Sequence, residues 1–236
     1  MGRAYEVRKA SIQKNGAAKA KLYSNFAKEI FIVAKKGGVN PDSNVSLKRL
    51  IEKAKKEQVP NDIINRAIDK AKGNNTDDYQ EVVYEGVGPG ASTFIIKTLT
   101  YNVNRTVGLV RAAFNKVNKS LGVTNSVSYN YDYLAVISFV SNKSEEIFET
   151  LLDNGIELVD FNIEEDTTIS CNPTDIHKVK DIIEKIDESI DYTFDEVGMF
   201  PKEHITLTGE DKEIYDKLYN MLNEIDDVTA IYTNVE

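Results

Sequence analysis

Cysteine, histidine, tryptophan and proline are scarce in this 236-residue chain: one cysteine (Cys171), two histidines (His177 and His204), no tryptophan and five prolines. A single thiol excludes an internal disulfide framework. A Cys/His zinc site needs about four clustered ligands, and only three candidates exist in the whole chain. A Ser-His-Asp or Cys-His catalytic centre would need a histidine in a pocket. His177 instead falls inside an amphipathic helical pattern, and His204 opens a short expected strand. No apolar run approaches the roughly 18–20 residues that span a bilayer. The opening residues lack the apolar stretch of a secretory signal, so a cytoplasmic location is expected. What is present is ordinary: 41% hydrophobic and 28% charged residues, enough for a folded core.

The formal net charge of −9 hides a split. Residues 1–73 hold 17 Lys and Arg against 7 Asp and Glu, a net of +10; the rest holds 12 against 31, a net of −19. A basic segment on an acidic body is what an electrostatic contact with a polyanion requires, because each neutralised phosphate releases counterions. A Lys-rich solvated helical surface would give the same composition.

Residues 1–16 carry Arg3, Arg8, Lys9 and Lys14 without clear periodicity and read as an arm that orders on a partner. Apolar residues then recur at three- and four-residue spacing over 18–36, and Gly37-Gly38 stop the helix. A second helix carries Leu47, Leu50, Ile51 and Ala54, with Asn40-Pro41-Asp42 as its start. A third opens at Pro60 and ends at Gly73. Three amphipathic helices predict a small bundle with Lys19, Lys21, Lys28, Lys35, Lys36, Lys48, Arg49, Lys53, Lys55 and Lys56 outside.

After a polar linker at 73–78 the period changes. Strands are expected over 81–85 and 93–101, a helix over 105–119 capped by Asn104 or Thr106, and a strand at 127–131. The stretch 134–200 reads as βαββαβ, a ferredoxin-like unit, with its first helix capped by Asn142. The tail adds a strand over 204–208, a helix and a strand over 228–235. Joined to 93–131, it completes a second βαββαβ set interrupted by the first. The expected class is therefore α+β and multidomain: a three-helix bundle plus two ferredoxin-like domains, one inserted into the other. The expected boundaries are 1–75, 79–132 with 203–236, and 133–202.

Candidate sites are few. Gly86-Val-Gly-Pro-Gly90 lies between two strands and lacks a following Gly-Lys-Ser/Thr, so it reads as a hairpin connection rather than a phosphate loop. Carboxylates cluster at 157–166 and 184–196 without calcium-loop or two-metal spacing, which reads as a solvated acidic face. Tyr129, Tyr131 and Tyr133 have the spacing for base stacking, but no RNP-type Lys/Arg-Gly-Phe sequence accompanies them. Half-buried sheet positions are the simpler reading. No catalytic residue, cofactor site, metal site or small-molecule site emerges, and a non-enzymatic protein is expected.

Several segments together resemble the YebC/PmpR family, which includes the mitochondrial translational activator of cytochrome c oxidase. They are Arg8-Lys-Ala10, Phe26-Ala-Lys-Glu-Ile30, Ala34-Lys-Lys-Gly-Gly38, Val59-Pro-Asn-Asp-Ile63, Arg66-Ala-Ile68, Tyr84-Glu-Gly-Val-Gly-Pro-Gly90, Asn104-Arg-Thr-Val107, Val110-Arg-Ala-Ala-Phe114, Asp226-Asp-Val228 and Ile231-Tyr-Thr-Asn234. The match runs along essentially the whole chain. The opening Gly2-Arg-Ala-Tyr-Glu6 replaces the family's Gly-His-Ser-Lys-Trp type, Ala91 stands where a further Gly is usual, and Ile156-Glu-Leu158 replaces an Ala-Glu-Asp turn. These departures suggest a divergent branch. The resemblance implies a three-domain, non-enzymatic regulator of gene expression. Some members look like DNA-binding transcriptional regulators; others resemble ribosome- or mRNA-associated translation factors that assist elongation through proline stretches.

The basic arm and first helix supply the expected nucleic-acid contacts: Arg3, Arg8, Lys9, Lys14, Lys19, Lys21 and Lys28 on phosphates. Duplex DNA is the first expected partner, with ribosomal RNA or mRNA, and the ribosome itself, as the alternative.

Overall fold

A computed structural model describes residues 18–73 and 79–236, with side chains from residue 21 onward. The expected arm, with Arg3, Arg8, Lys9 and Lys14, and most of the expected linker lie outside the described residues. Helices α1 (Ala18–Gly37), α2 (Val45–Lys56) and α3 (Asn61–Lys72) form the bundle. Phe26, Ile30, Ala34, Leu47, Ala54, Val59, Ile64 and Ala67 fill its core; most lie on the faces that the helical spacing selects, and Val59 comes from the turn between α2 and α3. The start of α2 differs from expectation. Asn44, not the 40–42 segment, caps the helix: its Oδ1 accepts from the Leu47 N–H at 3.1 Å. Its Nδ2 donates to the Val33 and Gly38 carbonyls at 3.1 and 2.8 Å, so one buried amide joins the end of α1 to the start of α2. Asn40 instead folds its Oδ1 back on the Asp42 N–H, a local turn that precedes the helix.

Strands β1 (Gln80–Val87) and β2 (Thr93–Thr100) make an antiparallel hairpin, and β7 (Val228–Thr233) pairs with the free side of β2. Between β2 and β7 in the chain come α4 (Val103–Asn115), the four-stranded unit described next, and α7 (Gly209–Asn223). Phe94, Ile96, Val110, Phe114, Tyr215, Leu218 and Leu222 form the core under this sheet. Asn102, two residues before the expected cap, closes the first turn of α4 by accepting from the Arg105 N–H at 3.0 Å.

The other sheet holds β3 (Tyr131–Phe139), β4 (Leu158–Ile163), β5 (Thr167–Cys171) and β6 (Tyr192–Pro201) in the order β4-β5-β3-β6, all antiparallel. Helices α5 (Ser144–Asp153) and α6 (Ile176–Ile186) connect them, giving the ferredoxin-like arrangement read from the sequence. The core lies between the sheet and these helices: Ile137, Phe139, Ile147, Leu151, Ile169, Val179 and Ile183. Asn142 does not cap α5; Lys143 holds the cap position, and the Ser141 Oγ accepts from its N–H. The α+β multidomain class is what the sequence predicts.

Two expected strands are absent. The segment 127–131 is a 3₁₀ turn, Ser128–Asn130, leading into β3, and 204–208 pairs only through an isolated Ile205–Val235 bridge. The first sheet therefore has three strands. The cause at 127–131 is Glu85, whose buried carboxylate accepts from the N–H groups of Asn125, Val127 and Ser128 at 2.8, 2.8 and 2.9 Å. Those donors are satisfied by a side chain, so no neighbouring strand is needed. The three tyrosines accordingly do not share a face. Tyr131 is buried with its hydroxyl 2.7 Å from Thr93 Oγ1, while Tyr129 and Tyr133 are exposed.

Candidate nucleic-acid interface

The expected phosphate ligands that fall within the described residues do not behave alike. Lys19 lies on α1, but its side chain is not among those described. Lys21 and Lys28, further along α1, turn toward the connection between α7 and β7. The Lys21 ammonium donates to the Asn223 carbonyl, to Asn223 Oδ1 at 3.2 Å and to the Ile225 carbonyl at 3.3 Å. Lys28 donates to the Asp226 carbonyl at 2.6 Å. Burial, aided by the neighbouring Lys28, pushes Lys21 down to about 8 against the pull of Asp226. Burial also lowers Lys28, against the pull of Asp227 and Asp226. Both cations anchor α1 to the body.

A second set of bundle cations faces the four-stranded unit. Arg49, Lys53 and Lys56 occupy one face of α2 at i, i+4 and i+7. Arg49 pairs with Asp181 and approaches Glu184 at 3.7 Å. Lys53 donates to the Asp195 carbonyl at 2.7 Å, and Lys56 pairs with Asp191 at 2.8 Å. The acidic stretch 184–196, read from the sequence as a solvated face, thus meets this chain's own bundle. Sequence alone marks these cations only as outward-facing, because the helical period fixes a face but not what lies opposite.

The remaining cations are turned to solvent. Lys36, Lys48 and Lys55 are exposed and make no ion pair among the described residues. Lys35 and Lys70 sit over the Phe31 ring at 5.6 and 5.4 Å. Arg66 and Lys72 pair along α3 with Asp62 and Asp69. Two more exposed cations, Arg111 and Lys116, stand on α4 and just after it.

A cleft of about 750 Å³ separates the bundle from α4 and the α7–β7 connection, lined by Lys28, Tyr101, Arg105, Leu109, Lys116 and Asp226 among others. Its strongest anion-binding group is already occupied. Arg105 Nη2 donates to both carboxylate oxygens of Asp227, and its Nη1 donates to the Tyr101 hydroxyl at 2.9 Å. The Thr106 Oγ1 lies 2.7 Å from Asp227 Oδ2. Burial raises the Asp227 carboxyl, but the Thr106 and Arg105 hydrogen bonds outweigh it and hold the group below the usual carboxylate range. The arrangement locks α4 to β7. Among the described residues no three His, Cys, Asp or Glu side chains converge on a metal position. No helix among them is long and apolar enough to cross a membrane.

Comparison with known proteins follows this layout. Residues 3–74 match the N-terminal domain of TACO1/YebC proteins, and residues 79–235 match the second and third domain. The chain belongs to the TACO1/YebC family. A protein of Alteromonas mediterranea named a probable transcriptional regulatory protein is 40% identical, over 99% of this chain and 98% of that one. Relatives with the same name from Vibrio campbellii and Acholeplasma laidlawii are 42% and 43% identical over the full chain, covering 100% and 98% of their own lengths. A crystal structure of a conserved hypothetical protein from Aquifex aeolicus superposes with a TM-score of 0.75 at 32% identity, covering 94% of this chain and 92% of that one. Three of the resemblance motifs carry structural centres of this TACO1/YebC chain: Tyr84-Glu-Gly holds Glu85, Asn104-Arg-Thr holds Arg105, and Asp226-Asp-Val holds Asp227.

Proposed function

We propose that this protein is a non-enzymatic, cytoplasmic regulator of gene expression that binds duplex DNA through its basic N-terminal 73 residues and controls transcription. The observation that carries this reading is the charge division, +10 on residues 1–73 against −19 on the remainder, with Lys36, Lys48 and Lys55 of the bundle directed outward. The names of its relatives support the regulatory part. Under this proposal the arm residues Arg3, Arg8, Lys9 and Lys14, with Lys19, grip phosphates, while Lys21 and Lys28 position α1. The proposal keeps three domains, at 1–75, 79–132 with 203–236, and 133–202. It requires no cofactor.

A second reading, a ribosome- or mRNA-associated translation factor, is favoured by one feature. The exposed positions of α2 carry Lys48, Glu52, Lys55 and Lys56, not the Arg, Asn and Gln sets that read base edges in a major groove. On α3, where Asn61, Asn65 and Arg66 are exposed, Arg66 is paired with Asp62. Phosphate contacts of this kind serve structured RNA as well as DNA. The test is sedimentation of a DNase-treated lysate, beside a salt titration on labelled duplex. Duplex binding whose logarithm falls steeply with log salt, and which disappears when Arg8, Lys9 and Lys14 are reversed to Glu, supports the DNA reading. Co-sedimentation with ribosomes, abolished in the same variant, with weak duplex binding would replace it by the second.

A further inference from the structure

The contact between α2 and the four-stranded unit is chemically unlike the contact that joins that unit to the first sheet. At the strand junction, Ile95, Val127, Tyr131, Met199 and Tyr232 form a small apolar cluster. There Tyr131 and Thr93 share a buried hydrogen bond, and Gly198 lies so near Tyr232 that a Cβ would stand 2.6 Å from the ring. That end is close-packed and mostly apolar. The polar contacts of α2 come from two ion-pairing cations and one cation on a half-buried backbone carbonyl. Arg49 is itself 22% exposed, and the carboxylates it and Lys56 meet face solvent. Asp181, Glu184 and Asp191 have side chains 58%, 48% and 86% exposed, and Lys56 is 60% exposed. Exposed ion pairs hold weakly and are screened by salt. An apolar attachment at one end and an ionic clasp at the other make a hinged arrangement.

The clasp also has the chemistry of a nucleic-acid contact. Arg49, Lys53 and Lys56 present three cations along one helix face, and the carboxylates paired with them come from α6 and from the corner after it. Asp195 offers only its backbone carbonyl to Lys53, because its carboxylate is held by Lys180 at 2.7 Å. Negative groups along the row thus stand where phosphates would stand on a bound strand. We infer that the Asp181, Glu184 and Asp191 row is an internal phosphate mimic, covering the Arg49, Lys53 and Lys56 face of α2 until a polyanion displaces it and the four-stranded unit swings away. This inference rests on the nucleic-acid reading above and adds its regulation. A nucleic acid has to compete with the clasp, so weak polyanions are refused and a strong contact is coupled to a change of shape.

The full-length chain tests it. The variant Asp181→Asn with Asp191→Asn opens the clasp; Glu157→Gln with Asp160→Asn makes the same charge change on β4 and the turn before it, away from α2. Binding of fluorescein-labelled duplex DNA and of a labelled RNA hairpin is measured for wild type and both variants. Energy transfer between dyes on cysteines placed at Glu57 and Asp153 reports the opening; Cys171 is buried, with its thiol pushed up to about 11, and stays unlabelled. The clasp variant is expected to bind about tenfold tighter than wild type, the control variant less than threefold, and energy transfer in the labelled protein is expected to fall as nucleic acid saturates. Binding with equal gains in both variants, or with transfer unchanged at saturation, overturns the inference and leaves the nucleic-acid reading standing. Absence of binding to either probe by all three proteins removes that reading and the inference with it.

Discussion

Arg105 on α4 places one guanidinium nitrogen, Nη2, 2.7 and 3.0 Å from the two oxygens of the buried Asp227 carboxylate in the turn just before β7. The Asp227 backbone carbonyl accepts from the Leu99 N–H of β2 at 2.8 Å, so one residue ties together a helix and two strands. Removing its charge leaves a buried amide facing a guanidinium and two threonine hydroxyls. Asp227→Asn is expected to cost about 2 kcal/mol of stability in urea unfolding, the order found when a buried charged hydrogen bond is removed. A cost under about 0.5 kcal/mol, the level of an ordinary surface substitution, would refute this role.

Glu85 does for a loop what Asp227 does for the sheet. Its carboxylate is the acceptor for three N–H groups of the turn at 125–128, and Glu85→Ala leaves all three without it. Hydrogen exchange at Asn125, Val127 and Ser128 is expected to accelerate at least tenfold in the variant, ahead of exchange in β3. Protection retained at those amides would show that the turn holds itself.

The same carboxylate sets a pH dependence. Burial pushes Glu85 up, but the N–H groups of Val127, Asn125 and Ser128 outweigh it and hold it below the ordinary value of 4.5. A carboxyl with a depressed native pKa binds fewer protons folded than unfolded at mildly acid pH, so stability rises with pH there. The contribution is fully present above 4.5 and is lost as pH falls through the lowered native value. Urea midpoints should decline below about pH 4.5, and Glu85→Gln should decline less steeply. Parallel curves for the two proteins would exclude Glu85 as a source.

The bundle lysines divide by role. Lys21→Met and Lys28→Met should lower thermal stability and leave the salt dependence of nucleic-acid binding nearly unchanged. Lys36→Glu, Lys48→Glu and Lys55→Glu should leave stability unchanged and flatten the log–log salt slope by roughly 0.9 for each phosphate no longer neutralised. A flattened slope in the Lys21 and Lys28 variants would place α1's inner face in the interface after all.

Periodicity made the helices and the ferredoxin-like unit legible, because a residue such as Val179 or Leu218 is buried on the face its spacing selects. It failed at 127–131, where alternation of Val127, Tyr129 and Tyr131 imitates a strand. The deciding group there, Glu85, is 42 residues away from Val127 in the chain. The cations on α1 failed for a related reason. Lys21 and Lys28 look like solvent-facing lysines until the connection after α7 folds over them, and that contact spans about 200 residues of sequence. Local pattern reports which side of an element is polar. The partner on that side is set by topology.

The Gly86–Ala91 connection offers two substitutions of opposite sign within one hairpin. Gly86 lies in β1 against Phe114, and a Cβ there would come within 2.6 Å of two ring atoms of a fully buried side chain. Gly86→Ala is therefore expected to cost about 2 kcal/mol through overpacking, with partial rescue by Phe114→Leu in a double-mutant cycle. Ala91 has φ +62, a left-handed conformation that an L side chain occupies at a cost of about 1–2 kcal/mol. Glycine removes that cost and returns part of it as chain entropy, so Ala91→Gly should gain about 0.5 kcal/mol. Both changes should leave nucleic-acid affinity of the folded protein as it was. A drop in affinity in either would return the glycine loop to consideration as a phosphate cradle, which its place between two strands argues against.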